Sequence, residues 1–202
     1  EEVLEWNPVS IKKHALFYQF TSNSNSDSII LIPDGCINIL FKCNPKDPKL
    51  SLSGIMLKEK PLNLEPNTIY FGFKPYSTAA MKKIYFHFTD LLDNNVDLKY
   101  YFPETESLME NILSAGDIKG RTRIFIDYAH KHLVDYDYSY DLGEHLAISM
   151  CLSKGQKKIS DLVKSIGYTE RHCREKFKEL SGINLAHYNR IMRFQNAVKK
   201  FY

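Results

Sequence analysis

Apolar residues in the first part of the chain come in short runs cut by turn-forming clusters. HALFYQF (14–20), SIILIPDGCINILFK (28–42) and NTIYFGF (67–73) are rich in Ile, Phe and Tyr. TSNSNSDS, CNPKDPK and LEPN lie between them. This alternation of β-prone runs and turn signals predicts strands. Together the strands predict an antiparallel barrel or sandwich of about 80 residues. The runs break at Pro33, Asp34 and Gly35, so none approaches the roughly 20 apolar residues of a membrane span.

After Pro75 the period changes. TDLLDN (89–94) reads as a short helical turn. ETESLMENILSA (104–115) places Leu108, Ile112 and Leu113 at helical spacing, and RTRIFIDYAHKHLVD (121–135) does the same with Ile124, Tyr128 and Leu133. YDYSYD (136–141) is polar and aromatic and reads as a linker. The rest is short helices with clear stops. One runs from about Leu142 to Leu152 and ends before Gly155. A second starts after Ser160 as N-cap, carries Leu162, Val163 and Ile166, and ends at Gly167. Thr169 can cap a third, with Glu170 in its first turn, where the helix dipole favours a negative charge. That helix ends at Gly182. Asn184 can cap a fourth, whose stripe is Leu185, Tyr188, Ile191, Met192 and Val198. The expected class is α+β: a β-rich domain over 1–102, a helical connector over 103–138 and an all-α unit over 139–202.

Charge sharpens this division. The net charge of +3 conceals twelve Lys and Arg against four Asp and Glu from Lys154 to Tyr202, and fifteen against twenty before it. A basic end on an otherwise acidic chain points to a polyanionic partner. On a helical wheel the third of these helices gathers Cys173, Phe177 and Leu180 on one side. Arg171, Arg174, Glu175 and Lys178 fall roughly 140° away. A helix, a tight turn at Gly167 and a second helix with an outward cationic row match the helix-turn-helix arrangement, in which the second helix enters the major groove of DNA. The expected DNA contacts are Thr169, Glu170, Arg171, Arg174 and Lys178. Arg171 and Arg174 stand one turn apart, and their planar forks suit guanine O6 and N7. Lys178, a turn further on, suits a phosphate.

ISDLVKSIGYTERHCREKFKELSGINLAHYNRIMRFQNAVKKF (159–201) resembles the first helix-turn-helix of the AraC/XylS family of bacterial transcription regulators. Leu162, the Gly167-Tyr168-Thr169 turn, Phe177-Lys178, Gly182, Tyr188, Arg193 and Ala197 carry the likeness. IPDGCINILF and FGFKPYSTAA resemble segments of a sensor domain found in part of that family. Val163 stands where the family usually has alanine, and Cys173 where it often has leucine. The resemblance implies a cupin-like β-barrel sensor over the first half, a small-molecule effector, and a dimer contact in the helical region from Lys119 to Val134. It also implies a second helix-turn-helix joined by a long helix. The sequence ends at Tyr202 within that joining stretch, so one DNA-reading unit is expected here.

Other chemistries have less to stand on. No nucleophile elbow, phosphate loop or HExxH is present, and the expectation is a non-enzyme without cofactor or metal. His130 and His132 are two apart and point away from each other on a helix. Four scattered cysteines suit a reducing cytoplasm rather than a disulfide framework, although Cys36 and Cys43 leave a redox role open. Trp6, Phe20, Phe41, Tyr70, Phe73 and Phe86 could line an effector pocket or form core. The expected partners are double-stranded DNA, an effector and a second copy of the chain, with no membrane. A reading from a different class is a dimerising or protein-interaction regulator with weak or no DNA binding.

Overall fold

The computed structural model describes residues 2–6 (backbone only), 15–23, 28–75, 87–133 and 142–201. The chain is α+β: antiparallel strands first, then helices. Six strands form one sheet in the order β1 (Glu2–Trp6), β2 (Ala15–Thr21), β7 (Ile69–Pro75), β4 (Asn38–Cys43), β5 (Lys49–Ser53), β8 (Asn95–Asp97). Two more, β3 (Ser28–Leu31) and β6 (Lys60–Asn63), pair only with each other among the described residues. The barrel expected from the sequence is therefore not closed among these residues. The large sheet has open edges at β1 and β8, and the small sheet lies apart from its hydrogen-bond ladder.

Period-two alternation gives the large sheet two working faces. Phe17, Ile39, Phe41, Phe71 and Phe73 share one face and are buried. The helical layer of α1 (Thr105–Ser114) and α2 (Ile118–Tyr128) covers it. The Phe125 ring of α2 lies 4.6 Å from Phe73, 5.7 Å from Phe41 and 5.9 Å from Phe17, between centroids. Tilted and edge-on rings at these spacings add to their hydrophobic burial. Arg121 crosses the same seam. It is 4% exposed and donates to the carbonyls of Ile112 and Ala115 and to the Gln19 side chain. A buried guanidinium is tolerated where its donors are met in this way. On the connector helices Leu108, Ile112 and Leu133 are at most 3% exposed, whereas Leu113 and Ile124 are half-buried.

Four helices follow: α3 (Leu142–Leu152), α4 (Ile159–Ile166), α5 (Glu170–Ser181) and α6 (Leu185–Phe201). Their ends have local causes. Gly167 and Gly182 take left-handed conformations just past α4 and α5. The Thr169 hydroxyl accepts from the His172 amide, and the Asn184 side chain accepts from the His187 amide. Ser160 is not a cap, because α4 begins one residue earlier and Lys158, without a side-chain bond, holds the cap position. Cys173, Phe177 and Leu180 form the buried stripe of α5, as the wheel predicts.

The helices dock on the β-rich part through two backbone segments. The turn at Gly182 lies against the 3-10 turn Phe88–Leu91. The loop Pro33–Cys36 lies against α6, where Gln195 Nε2 donates to the Pro33 carbonyl at 2.6 Å. The linker expected at 136–141 falls outside the described residues.

Candidate functional site

The exposed side of α5 is where the sequence places its cations, and the structure gives most of them partners on the same helix. Arg171 Nε donates to Glu175 at 2.9 Å. Arg174 donates to Glu170, its Nε at 2.9 Å. Lys176 pairs with Glu179 at 2.8 Å. These are i,i+4 and i,i+3 pairs in water, where an exposed pair is weak and readily exchanged. Arg171 nonetheless keeps 88% of its side chain exposed. Lys178 is exposed and has no ion pair among the described residues. Thr169 is occupied as the helix cap. The five expected contact residues therefore lie on one helix with their heads in solvent, but Glu170 and Glu175 hold the two arginines.

This pairing moves the weight of positive charge. Helix α5 carries four cations against three carboxylates. The rest of the basic end, Lys154 to Tyr202, carries eight against one. Those eight are Lys154, Lys157, Lys158 and Lys164 around α4, and Arg190, Arg193, Lys199 and Lys200 on α6, all exposed. The fold joins the two groups: the buried Asn189 side chain donates to the Lys157 carbonyl, and Arg193 reaches the Gly155 carbonyl. The turn before α4 is thereby fixed against α6, and its lysines stand beside the α6 arginines. The sequence signal was the run Lys154-Gly-Gln-Lys-Lys, which no helical wheel of α5 could include.

A second feature lies on the sheet face opposite the helices. Between that face and the β3–β6 pair is a cavity of about 670 Å³. Leu16, Tyr18, Phe20 and Leu40 line it from the large sheet, and Ile29 and Leu31 from β3. Of the six aromatic residues expected to line a pocket, Phe20 does so. Tyr70 is behind it, its ring stacked on Phe20 at 5.2 Å and its hydroxyl accepting from the Glu65 amide. Phe41 and Phe73 do not: strand alternation turns them to the helical face and onto Phe125. The Trp6 side chain and Phe86 fall outside the described residues. Lys60, Lys74, Asp93, Asn38 and Asn94 are among the cavity's polar groups, and none was singled out from the sequence.

The cysteines do not gather into a redox pair with Cys43. Cys36 sits in the loop against α6, whereas Cys43 ends β4 on the helical face. Burial pushes the thiols of Cys36, Cys43, Cys151 and Cys173 above their ordinary range, which suppresses the reactive thiolate. Among the described residues no group of three or more His, Cys, Asp or Glu could hold a metal ion, and no helix is long and apolar enough to cross a membrane. Compared with protein families, with curated proteins and with solved structures, the chain finds no match in any of the three.

Proposed function

We propose that this chain is a DNA-binding transcription regulator of the AraC/XylS kind, with α4 and α5 as its helix-turn-helix and the β-rich part as its sensor. The observation that carries the reading is the exposed cationic flank formed by the turn before α4 and by α6, beside a capped helix whose arginines point into solvent. In this account the flank meets phosphates and sets most of the affinity. Helix α5 enters the major groove, and Arg171 and Arg174 leave their glutamates for base edges. The exchange is cheap because both pairs are exposed. The two-sheet part stands where the family likeness puts a cupin-like barrel, and its cavity is the place for an effector.

Selection from a pool of randomised duplexes tests this reading. The expected result is enrichment of a short motif spanning one major-groove segment, and loss of part of that motif with Arg171→Ala or Arg174→Ala. A pool that emerges with no enriched motif would remove the reading of bases.

One observation favours the other class. Three cations of α5 are already matched by carboxylates of the same helix, a pattern that also suits a surface made for a protein partner. On that reading the chain binds DNA weakly or not at all. A second copy of the chain belongs to either reading, joined through the helical region from Lys119 to Val134.

A further inference from the structure

The cavity and helix α6 share a single ion pair. Lys74 on β7 lines the cavity, and its ammonium donates to Asp34 Oδ2 at 2.5 Å. Asp34 is not part of the lining; it belongs to the loop Pro33–Cys36 that rests on α6. Its other oxygen accepts from the Cys36 amide at 3.0 Å, which sets the shape of that loop. The loop meets α6 closely. A Cβ placed on Gly35 would stand 2.7 Å from Met192 Cε and 2.9 Å from the Tyr188 ring. Gln195 bonds the Pro33 carbonyl on the same side. Lys74 therefore holds from the cavity side a loop that holds α6 from the other.

Lys74 is the group through which the cavity can meet an anion, although the chain before Lys154 is net negative. Lys60, Lys74 and Asp93 are the ionisable residues of the lining. Lys60 is occupied by Asp93, to whose carboxylate it lies at 3.5 Å and to whose carbonyl it donates. Lys74 is the other cation of the lining, and its carboxylate partner, Asp34, stands outside the lining. An ammonium has three donors, and Asp34 takes one. Burial pulls the Lys74 ammonium towards neutrality, and Asp34 more than offsets it, so the group stays charged. The remaining wall is largely aliphatic and aromatic, as in ligand pockets that bury most of a small molecule.

We infer that the cavity takes a small monocarboxylate with an apolar body, that its carboxylate binds Lys74, and that binding draws Lys74 from Asp34 and loosens the loop 33–36 on α6. The inference supplies a ligand class for the sensor role proposed above and rests on that reading only for its consequence at DNA. No bond is made or broken. The ligand shifts an equilibrium because it competes with Asp34 for one cation. The device links the sensor cavity to the helix that carries Arg190 and Arg193.

Calorimetric titration of the whole chain tests it, with octanoate, hexanoate and 4-phenylbutyrate, and with the alcohol of each as neutral control. Deuterium exchange of α6 is followed with and without each acid. At least one acid should bind tenfold or more tighter than its alcohol and should raise exchange in α6. Lys74→Met should remove that preference. Asp34→Asn should bind the acid severalfold tighter and should show raised α6 exchange with no ligand. Should Lys74→Met fail to fold, Asp34→Asn carries the same comparison. Equal binding of acids and alcohols, binding of neither, or tight acid binding with α6 exchange unchanged would overturn the inference. None of these readouts uses DNA, so the inference and the DNA reading fail independently.

Discussion

Gly167 and Gly182 have nearly the same backbone, φ of 80° and 78°, and opposite surroundings. A Cβ on Gly167 would meet nothing within 4 Å. On Gly182 it would stand 2.8 Å from the Phe88 carbonyl oxygen, 2.9 Å from its carbon and 3.0 Å from the Thr89 nitrogen. Gly167→Ala therefore carries only the left-handed backbone cost, about 1–2 kcal/mol. Gly182→Ala carries that cost and a clash with backbone that no rotamer change relieves, about 1–3 kcal/mol more. For a chain of this size each kcal/mol lowers Tm by about 2–4 °C. Thermal unfolding followed by circular dichroism should thus give a loss of about 2–8 °C for Gly167→Ala and a larger one of about 4–20 °C for Gly182→Ala. Equal losses would refute the reasoning, because they would mean that the α5–α6 turn does not dock on the 3-10 turn Phe88–Leu91.

Three further outcomes follow from the packing and the ionisable groups. Phe125→Ala removes the ring that three sheet phenylalanines share, and should cost about 3–5 kcal/mol in urea unfolding; a loss under about 1 kcal/mol would deny the helix-on-sheet core. Hydrogen bonds from Lys42 hold the carboxyls of Asp47 and Glu65 below their ordinary range. Their contribution is complete above the ordinary carboxylate range and fades as pH falls through the lowered values. Lys42→Met should flatten the acid side of the stability–pH curve, and an unchanged acid limb would count against the pairing. Native chain should alkylate slowly at pH 8 at the buried Cys43 and Cys173 and quickly once unfolded; fast native labelling of either by iodoacetamide would contradict the burial described.

Strands β2, β4 and β7 were legible because they are runs of large apolar residues between turn clusters. Strands β5 (KLSLS), β6 (KPLN) and β8 (NVD) were not. Their composition is turn-like or polar, and they are strands because neighbours supply the ladder, which is a tertiary effect. The helical end was read well since its punctuation is local: Gly167, Thr169, Gly182 and Asn184 act within a few residues of themselves. The candidate site divides along the same line. Exposure of Arg171 and Arg174 follows from the wheel, which also set Glu175 beside them. The cationic flank needed Lys157 to meet Asn189 across 32 positions, which no local pattern reports. Phe41 and Phe73 looked like pocket residues because their strands are rich in large apolar and aromatic side chains. Only the placement of α2 decides which face is core and which is cavity.

The central claim is that the basic end binds DNA through the flank around α4 and α6 as well as through α5. Fluorescence anisotropy of a labelled mixed-sequence duplex, titrated across salt concentrations, addresses it directly. The account predicts binding at about 50 mM salt that falls linearly on a log–log plot, with a slope of about −0.9 for each phosphate met. Replacing Lys157, Lys158, Arg190 and Arg193 together by alanine should flatten that slope by several units, and Lys178→Ala should flatten it by about one. Absence of binding at low salt, or a slope indifferent to both substitutions, would contradict it.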